Sequence, residues 1–128
     1  MCRIAAVFAY GESAPPVDRD EVLLMREQMF SRGPDGSGEW FSDDRRVGLG
    51  HRRLSIIDLS PAGANPMFNA DRSLALIFNG EIYNYKELRS QLSGKGYPFQ
   101  SHCDAEVILA LYATRGIDAM MKIGRAHV

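Results

Sequence analysis

The sequence predicts an α+β domain, because short runs of β-branched and other apolar residues are separated by segments that carry helix caps and helical spacing. The strand signals are Cys2–Tyr10, Val47–Ile57 and Leu74–Phe78, and the helix signals follow Asp18, Asn84 and Asp104. A chain of 128 residues with 45 % apolar side chains is long enough for one domain with a buried core.

Cys2–Tyr10 is too short for a helix and reads as a buried strand that begins at the N-terminus, which would anchor residue 2. After a loop at Gly11–Pro16, Asp18 or Asp20 caps a helix to about Phe30, with Val22, Leu23, Met25 and Met29 at helical spacing. Ser31-Arg32-Gly33-Pro34-Asp35-Gly36 ends it in a turn. Val47–Ile57 is a strand interrupted by His51-Arg52-Arg53, and Leu74–Phe78 is a third strand that stops at Asn79-Gly80. Asn84-x-x-Glu87 has the form of a capping box and opens a helix that Gly94 or Gly96 closes. Tyr97–Ser101 reads as a short strand. Asp104 caps a last helix containing Val107, Ile108, Leu109, Leu111 and Tyr112, which Gly116 closes. No repeat, low-complexity tract or linker interrupts the chain.

Fifteen basic and sixteen acidic residues give a net charge of −1 without a long run of either sign, so neither nucleic acid nor a membrane is an expected partner. Ile4–Tyr10 is far shorter than a membrane span and lacks the features of a signal peptide, which makes the cytoplasm the expected location. Cys2 and Cys103 show no metal-binding spacing, and without an export signal they are expected to stay reduced.

Removal of Met1 before a small residue leaves the Cys2 thiol and a free α-amine on one carbon skeleton. Their unperturbed pKa values, ~8.5 and ~7.8, let the amine take the thiol proton directly or through one water. The plainer reading is a small apolar residue opening a strand. Asn79-Gly80 combines a side-chain N–H donor with a residue that lets the backbone come close to a ligand, as stabilising an amide-derived oxyanion requires; a hairpin turn is the local alternative. Arg53 offers a two-pronged partner for an α-carboxylate, while Asp104 and Glu81 offer charge for an α-ammonium. Each of these also has a structural reading, as a surface arginine, a helix cap and a turn acid.

Taken together, the positions resemble the N-terminal glutaminase domain of asparagine synthases, a class II glutamine amidotransferase. The resemblance rests on Cys2 after the initiator Met, Arg32-Gly33-Pro34-Asp35-Gly36, the stretch from Gly50 through His51-Arg52-Arg53-Leu54-Ser55-Ile56-Ile57-Asp58, Pro66, Asn79-Gly80-Glu81-Ile82-Tyr83-Asn84, and Asp104-x-Glu106-Val107-Ile108. It implies an αββα sandwich of the N-terminal nucleophile hydrolase type, incomplete at its C-terminus. By that resemblance Cys2 is the nucleophile, Asn79 and Gly80 form the oxyanion hole, and Arg53, Leu54, Ile56, Glu81 and Asp104 bind glutamine. The implied reaction proceeds through a glutamyl thioester and needs no metal or cofactor. Its ammonia would pass to a synthetase domain that uses ATP and Mg. Glutamine and that domain are the implied partners, and a homodimer is left open. Two other readings stand beside this one: the same chemistry serving an amidophosphoribosyl or hexosamine-phosphate acceptor, and a glutamine-binding module without catalysis.

Three features depart from the family pattern. Arg3 replaces a glycine after the nucleophile and is expected to place a cation beside it, lowering the thiol pKa or crowding the site. Ser31 and Cys103 stand where histidine and serine are common and are expected to be tolerated. At the end, Ile123-Gly124-Arg125-Ala126-His127-Val128 reads like one frame of a sequencing adapter. The expected organisation is therefore a partial domain over 1–121 and a non-native tail over 122–128, from a truncated reading of a longer protein.

Overall fold

The computed structural model describes residues 2–54 and 61–123. They form an α+β structure of two compact units. One holds residues 2–54 with Ala64–Pro66 and Ile77–Asn79; the other holds 61–63, Met67–Leu76 and 80–123.

The first unit is built on an antiparallel sheet in the order β1 (Arg3–Phe8), β3 (Val47–Arg53), β2 (Gly36–Phe41). The register pairs Arg3 with Arg52 and Ile4 with His51 on one side of β3, and Gly36 with Arg53 and Gly38 with His51 on the other. Helix α1 (Arg19–Glu27) is capped by Asp18, whose carboxylate accepts the Asp20 N–H at 2.9 Å, and it packs on one face of the sheet through the fully buried Val22. A side chain at Gly48 would lie 2.8 Å from Val17 and 3.0 Å from Val22, so glycine there allows the close approach. Arg26 and Arg19 both reach Glu39 of β2, at 2.9 and 2.6 Å, while Arg52 pairs with Glu27 and stacks over Phe30. The helix ends at Glu27, earlier than the expected Phe30, and a separate 3-10 turn covers Phe30–Arg32.

Strand β2 has no counterpart in the sequence reading, which placed Gly36 in a turn and assigned no element to 37–41. Gly38 is demanded from outside the strand: a Cβ there would fall 1.7 Å from the carbonyl oxygen of Asn65. The expected strand Val47–Ile57 is observed to Arg53; Ser55, Ile56 and Ile57 lie outside the described residues.

In the second unit, β4 (Met67–Phe68) and β5 (Ala75–Leu76) form a short antiparallel ladder. The expected strand Leu74–Phe78 is thus cut to two residues, since β4 offers only two partners. Helix α2 (Tyr85–Gly94) and helix α3 (Glu106–Met121) share a core of Leu92, Ala110 and Leu111, joined by Leu88, Tyr97, Phe99 and Ile123. Gly96, at φ +91°, closes α2: its N–H bonds to Ser93 O and that of Tyr97 to Leu92 O, while the Tyr97 ring packs on the same core. The expected capping box at Asn84 does not form, because Asn84 makes no side-chain cap bond. Gly116, at φ +79°, breaks α3 into two helical segments, where the sequence placed a helix end.

Tyr97–Ser101 is not a strand. Its backbone N–H groups at Gln100 and Ser101 are taken by the Glu106 carboxylate, at 2.7 and 2.8 Å, which removes the need for a partner strand. Asp104 likewise does not cap α3 in the expected manner; the helix has no side-chain cap at Ala105, and the Asp104 carboxylate turns to the chain at Ile82.

Candidate active site

Cys2 is half-buried at the entrance to β1, and the β1–β3 ladder continued by one residue brings it level with Arg53. Its Sγ accepts the Leu54 N–H at 3.3 Å and donates toward Leu54 O at 3.4 Å. Residue 2 is thereby held against the end of β3, and Leu54 acts on it through its backbone. Gly48 and Gly50 face α1, so strand alternation turns His51 and Arg53, with Ile4 and Cys2 opposite them, to the other face of the sheet. Arg3 alternates to the α1 face and is exposed. The expected cation beside the nucleophile therefore projects away from it.

The Arg32-to-Gly36 motif braces the same strand end. A Cβ on Gly33 would lie 2.6 Å from the Arg52 carbonyl carbon, Asp35 N donates to Arg53 O at 3.0 Å, and Pro34 forms a bridge with Arg53. Gly33 permits this close approach of the motif to the backbone of β3.

His51 is 1 % exposed, and its ring nitrogens make no well-formed hydrogen bond among the described residues. Burial pulls its pKa down to about 4, with the Arg53 charge acting in the same direction and a backbone group of Phe78 beside the ring opposing both. The imidazole is neutral at physiological pH. Phe78 itself donates its N–H to Asn65 Oδ1 at 3.1 Å, and Asn79 follows it, exposed. Sequence reading singled out neither Asn65 nor a role for His51; Pro66, named in the resemblance, was the only nearby signal.

The second unit carries Gly80, Glu81 and Asp104. Asp104 is 5 % exposed, and its Oδ2 accepts the Ile82 N–H at 2.8 Å, so it ties the chain just after Gly80-Glu81 to the start of α3. Its Oδ1 accepts the Ala105 N–H at 2.9 Å and lies 3.6 Å from Cys103 Sγ. Glu81 is exposed. Ile56 lies outside the described residues. Both cysteines are free thiols, and no cluster of three His, Cys, Asp or Glu side chains suited to a metal occurs among the described residues. No helix of the described residues is long and apolar enough to cross a membrane.

Comparison with known proteins agrees with this arrangement of motifs. Residues 1–125 match the family model of a glutamine amidotransferase domain. The chain is 43 % identical over 124 residues to the glutamine-hydrolyzing asparagine synthetase 1 of Bacillus subtilis, an overlap that covers 96 % of the chain and 19 % of that protein. It is 44 % identical over 116 residues to the glutamine-hydrolyzing asparagine synthetase B of Escherichia coli, covering 91 % and 20 %. It is 38 % identical over 125 residues to Amidase chry2 of Gibberella zeae, covering 91 % and 18 %. The chain therefore spans about a fifth of the length of the curated relatives it matches. It belongs to the glutamine amidotransferase domain family.

Proposed function

We propose that this domain hydrolyses glutamine to glutamate and ammonia, with Cys2 as the nucleophile once Met1 is removed. The observation that carries the reading is the placement of the Cys2 sulfur, fixed by the Leu54 backbone at the strand end that also bears Arg53, in a chain of this family. The Cys2 α-amine accepts the thiol proton, and the sulfur attacks the side-chain carbonyl carbon of glutamine. Asn79 and the Gly80 N–H hold the oxyanion, a contribution of about 3 to 4 kcal/mol per donor. The C–N bond then breaks, ammonia leaves with the proton returned by the amine, and water cleaves the glutamyl thioester to regenerate the thiol. Arg53 pairs with the substrate α-carboxylate, Asp104 and Glu81 meet its ammonium, and Leu54 and Ile56 are further substrate-binding residues in this reading. The step itself uses no metal or cofactor.

The finer fold reading is an αββα sandwich of the N-terminal nucleophile hydrolase type, supported by the strand that begins directly after residue 2. The names of the relatives support asparagine as the product that the ammonia serves. In this reading a further synthetase domain, dependent on ATP and Mg, makes it in the cytoplasm.

A chloroketone analogue of glutamine tests the assignment. Labelling confined to Cys2, with ammonia release abolished in Cys2→Ser, is the expected result. Ammonia production that persists in Cys2→Ser, or in protein whose Met1 mass spectrometry finds still attached, would overturn it.

A further inference from the structure

We infer that Asn65 is a positioning residue for the oxyanion donor Asn79, acting through the backbone of Phe78. The inference rests on the proposed role of Asn79. Asn65 is 7 % exposed, and its side-chain oxygen accepts the Phe78 N–H at 3.1 Å, one residue before Asn79. Its main chain is pressed against β2, where its carbonyl oxygen occupies the space that a side chain on Gly38 would fill. Gly38 pairs across the ladder with His51, and His51 pairs with Ile4, two residues from Cys2. The His51 ring lies beside the backbone of Phe78 as well. Within one compact unit, the residue that precedes the oxyanion donor is thus fastened to the sheet that carries the nucleophile.

The physical need for such a fastening is clear. Residues 77–79 belong to no strand, so nothing in a ladder fixes their position. An oxyanion donor is effective only when it is held before the charge develops, because a donor that must reorganise gives back much of its stabilisation. A buried side-chain acceptor on the preceding N–H supplies that restraint without touching substrate. Removing the acceptor leaves a part-buried N–H unpaired and frees the Asn79 segment to move.

The test is a double-mutant cycle on glutamine hydrolysis in the intact protein, with kcat and KM measured separately. Asn65→Leu, of similar volume but without an acceptor, is expected to lower kcat about tenfold and to leave KM within about threefold. Asn65→Asp, which keeps an acceptor oxygen at the same reach, is expected to recover most of kcat. In an Asn79→Ala background the further loss from Asn65→Leu should shrink to less than about twofold, since its effect passes through Asn79. A full tenfold loss in that background would overturn the inference, as would an unchanged kcat in the single variant. Hydrogen exchange at the Phe78 amide, faster in Asn65→Leu, reads the bond itself. Should Asn65→Leu fail to fold, Asn65→Ser enters the same cycle and is judged by the same outcomes. Wild-type protein that releases no ammonia would sink the functional reading, a result distinct from an active enzyme indifferent to residue 65.

Discussion

In the unit that holds Cys2, the central strand β3 is paired by ladders on both sides; in the unit that holds Asp104, backbone groups outside any ladder are paired by buried carboxylates. The ladders to β1 and β2 pair the backbone of β3 on both sides, and the charged side chains of this unit link α1 to the sheet in a partly exposed network of Arg19, Arg26, Arg52, Glu27 and Glu39. The helical unit has no ladder at 80–84 or 97–103, so the buried acids Asp104 and Glu106 accept N–H groups at Ile82, Gln100 and Ser101. Acids of the same chemical type thus carry unequal burdens. An exposed pair is screened and worth little, whereas a buried acceptor whose partners have no alternative is worth several hydrogen bonds.

The largest expected effect follows directly. Glu106→Ala strips acceptors from the Gln100 and Ser101 N–H groups and from the Ser101 hydroxyl, and is expected to cost about 4 kcal/mol in chemical denaturation. Glu39→Ala, in the partly exposed network, is expected to cost under about 1 kcal/mol. Equal losses from the two would dissolve the contrast between the units.

A second prediction concerns the sheet unit, whose buried His51 is the exception to its exposed charges. Its folded pKa of about 4 lies below the unfolded 6.5, so unfolding takes up a proton between those values. Stability is fully present above pH 6.5 and falls as the pH drops toward 4, by an amount on the order of 3 kcal/mol. Denaturation measured from pH 7 to 4 should show this slope and should lose it in His51→Asn; a slope that persists in the variant would assign it to other groups.

Asp104 sharpens the comparison by separating structure from binding. Asp104→Asn retains an acceptor for the Ile82 N–H but removes the charge proposed to meet the substrate ammonium. Its KM for glutamine is expected to rise about 30-fold, about 2 kcal/mol, with kcat changed much less. An unchanged KM would leave Asp104 a purely structural acid. The smallest effect is expected at Arg3. Because its side chain lies on the α1 face, Arg3→Gly should change glutamine turnover by less than about twofold. A large change would place the cation near the thiol after all.

The elements that could be read in advance share a local cause. The Asp18 cap, the left-handed Gly96 after α2 and the break at Gly116 depend on neighbours within one helical turn. The errors at β2 and at Tyr97–Ser101 arose where a group beyond the neighbouring turn intervened. The sequence reading placed Gly36 in a turn, yet it opens β2, and Gly38 sits within that strand where the Asn65 carbonyl occupies the space of a side chain. Tyr97 and Phe99 suggest a strand, yet Glu106 takes the N–H groups that a strand would have paired. Of the candidate site, the motif order and the residue types were legible, but the use of the Leu54 backbone and the place of Asn65 were not.

The amino-acid order by itself determined the start of α1, the stop after α2 and the spaced motifs that identify the family, because all of these depend on residue type and near-neighbour geometry. Only the tertiary structure decided that the Cys2 sulfur meets the backbone 52 residues away and that Asn65 holds the N–H of Phe78, 13 residues on. Such pairings depend on which polar groups burial leaves without water, and that is settled only once the chain has folded around them.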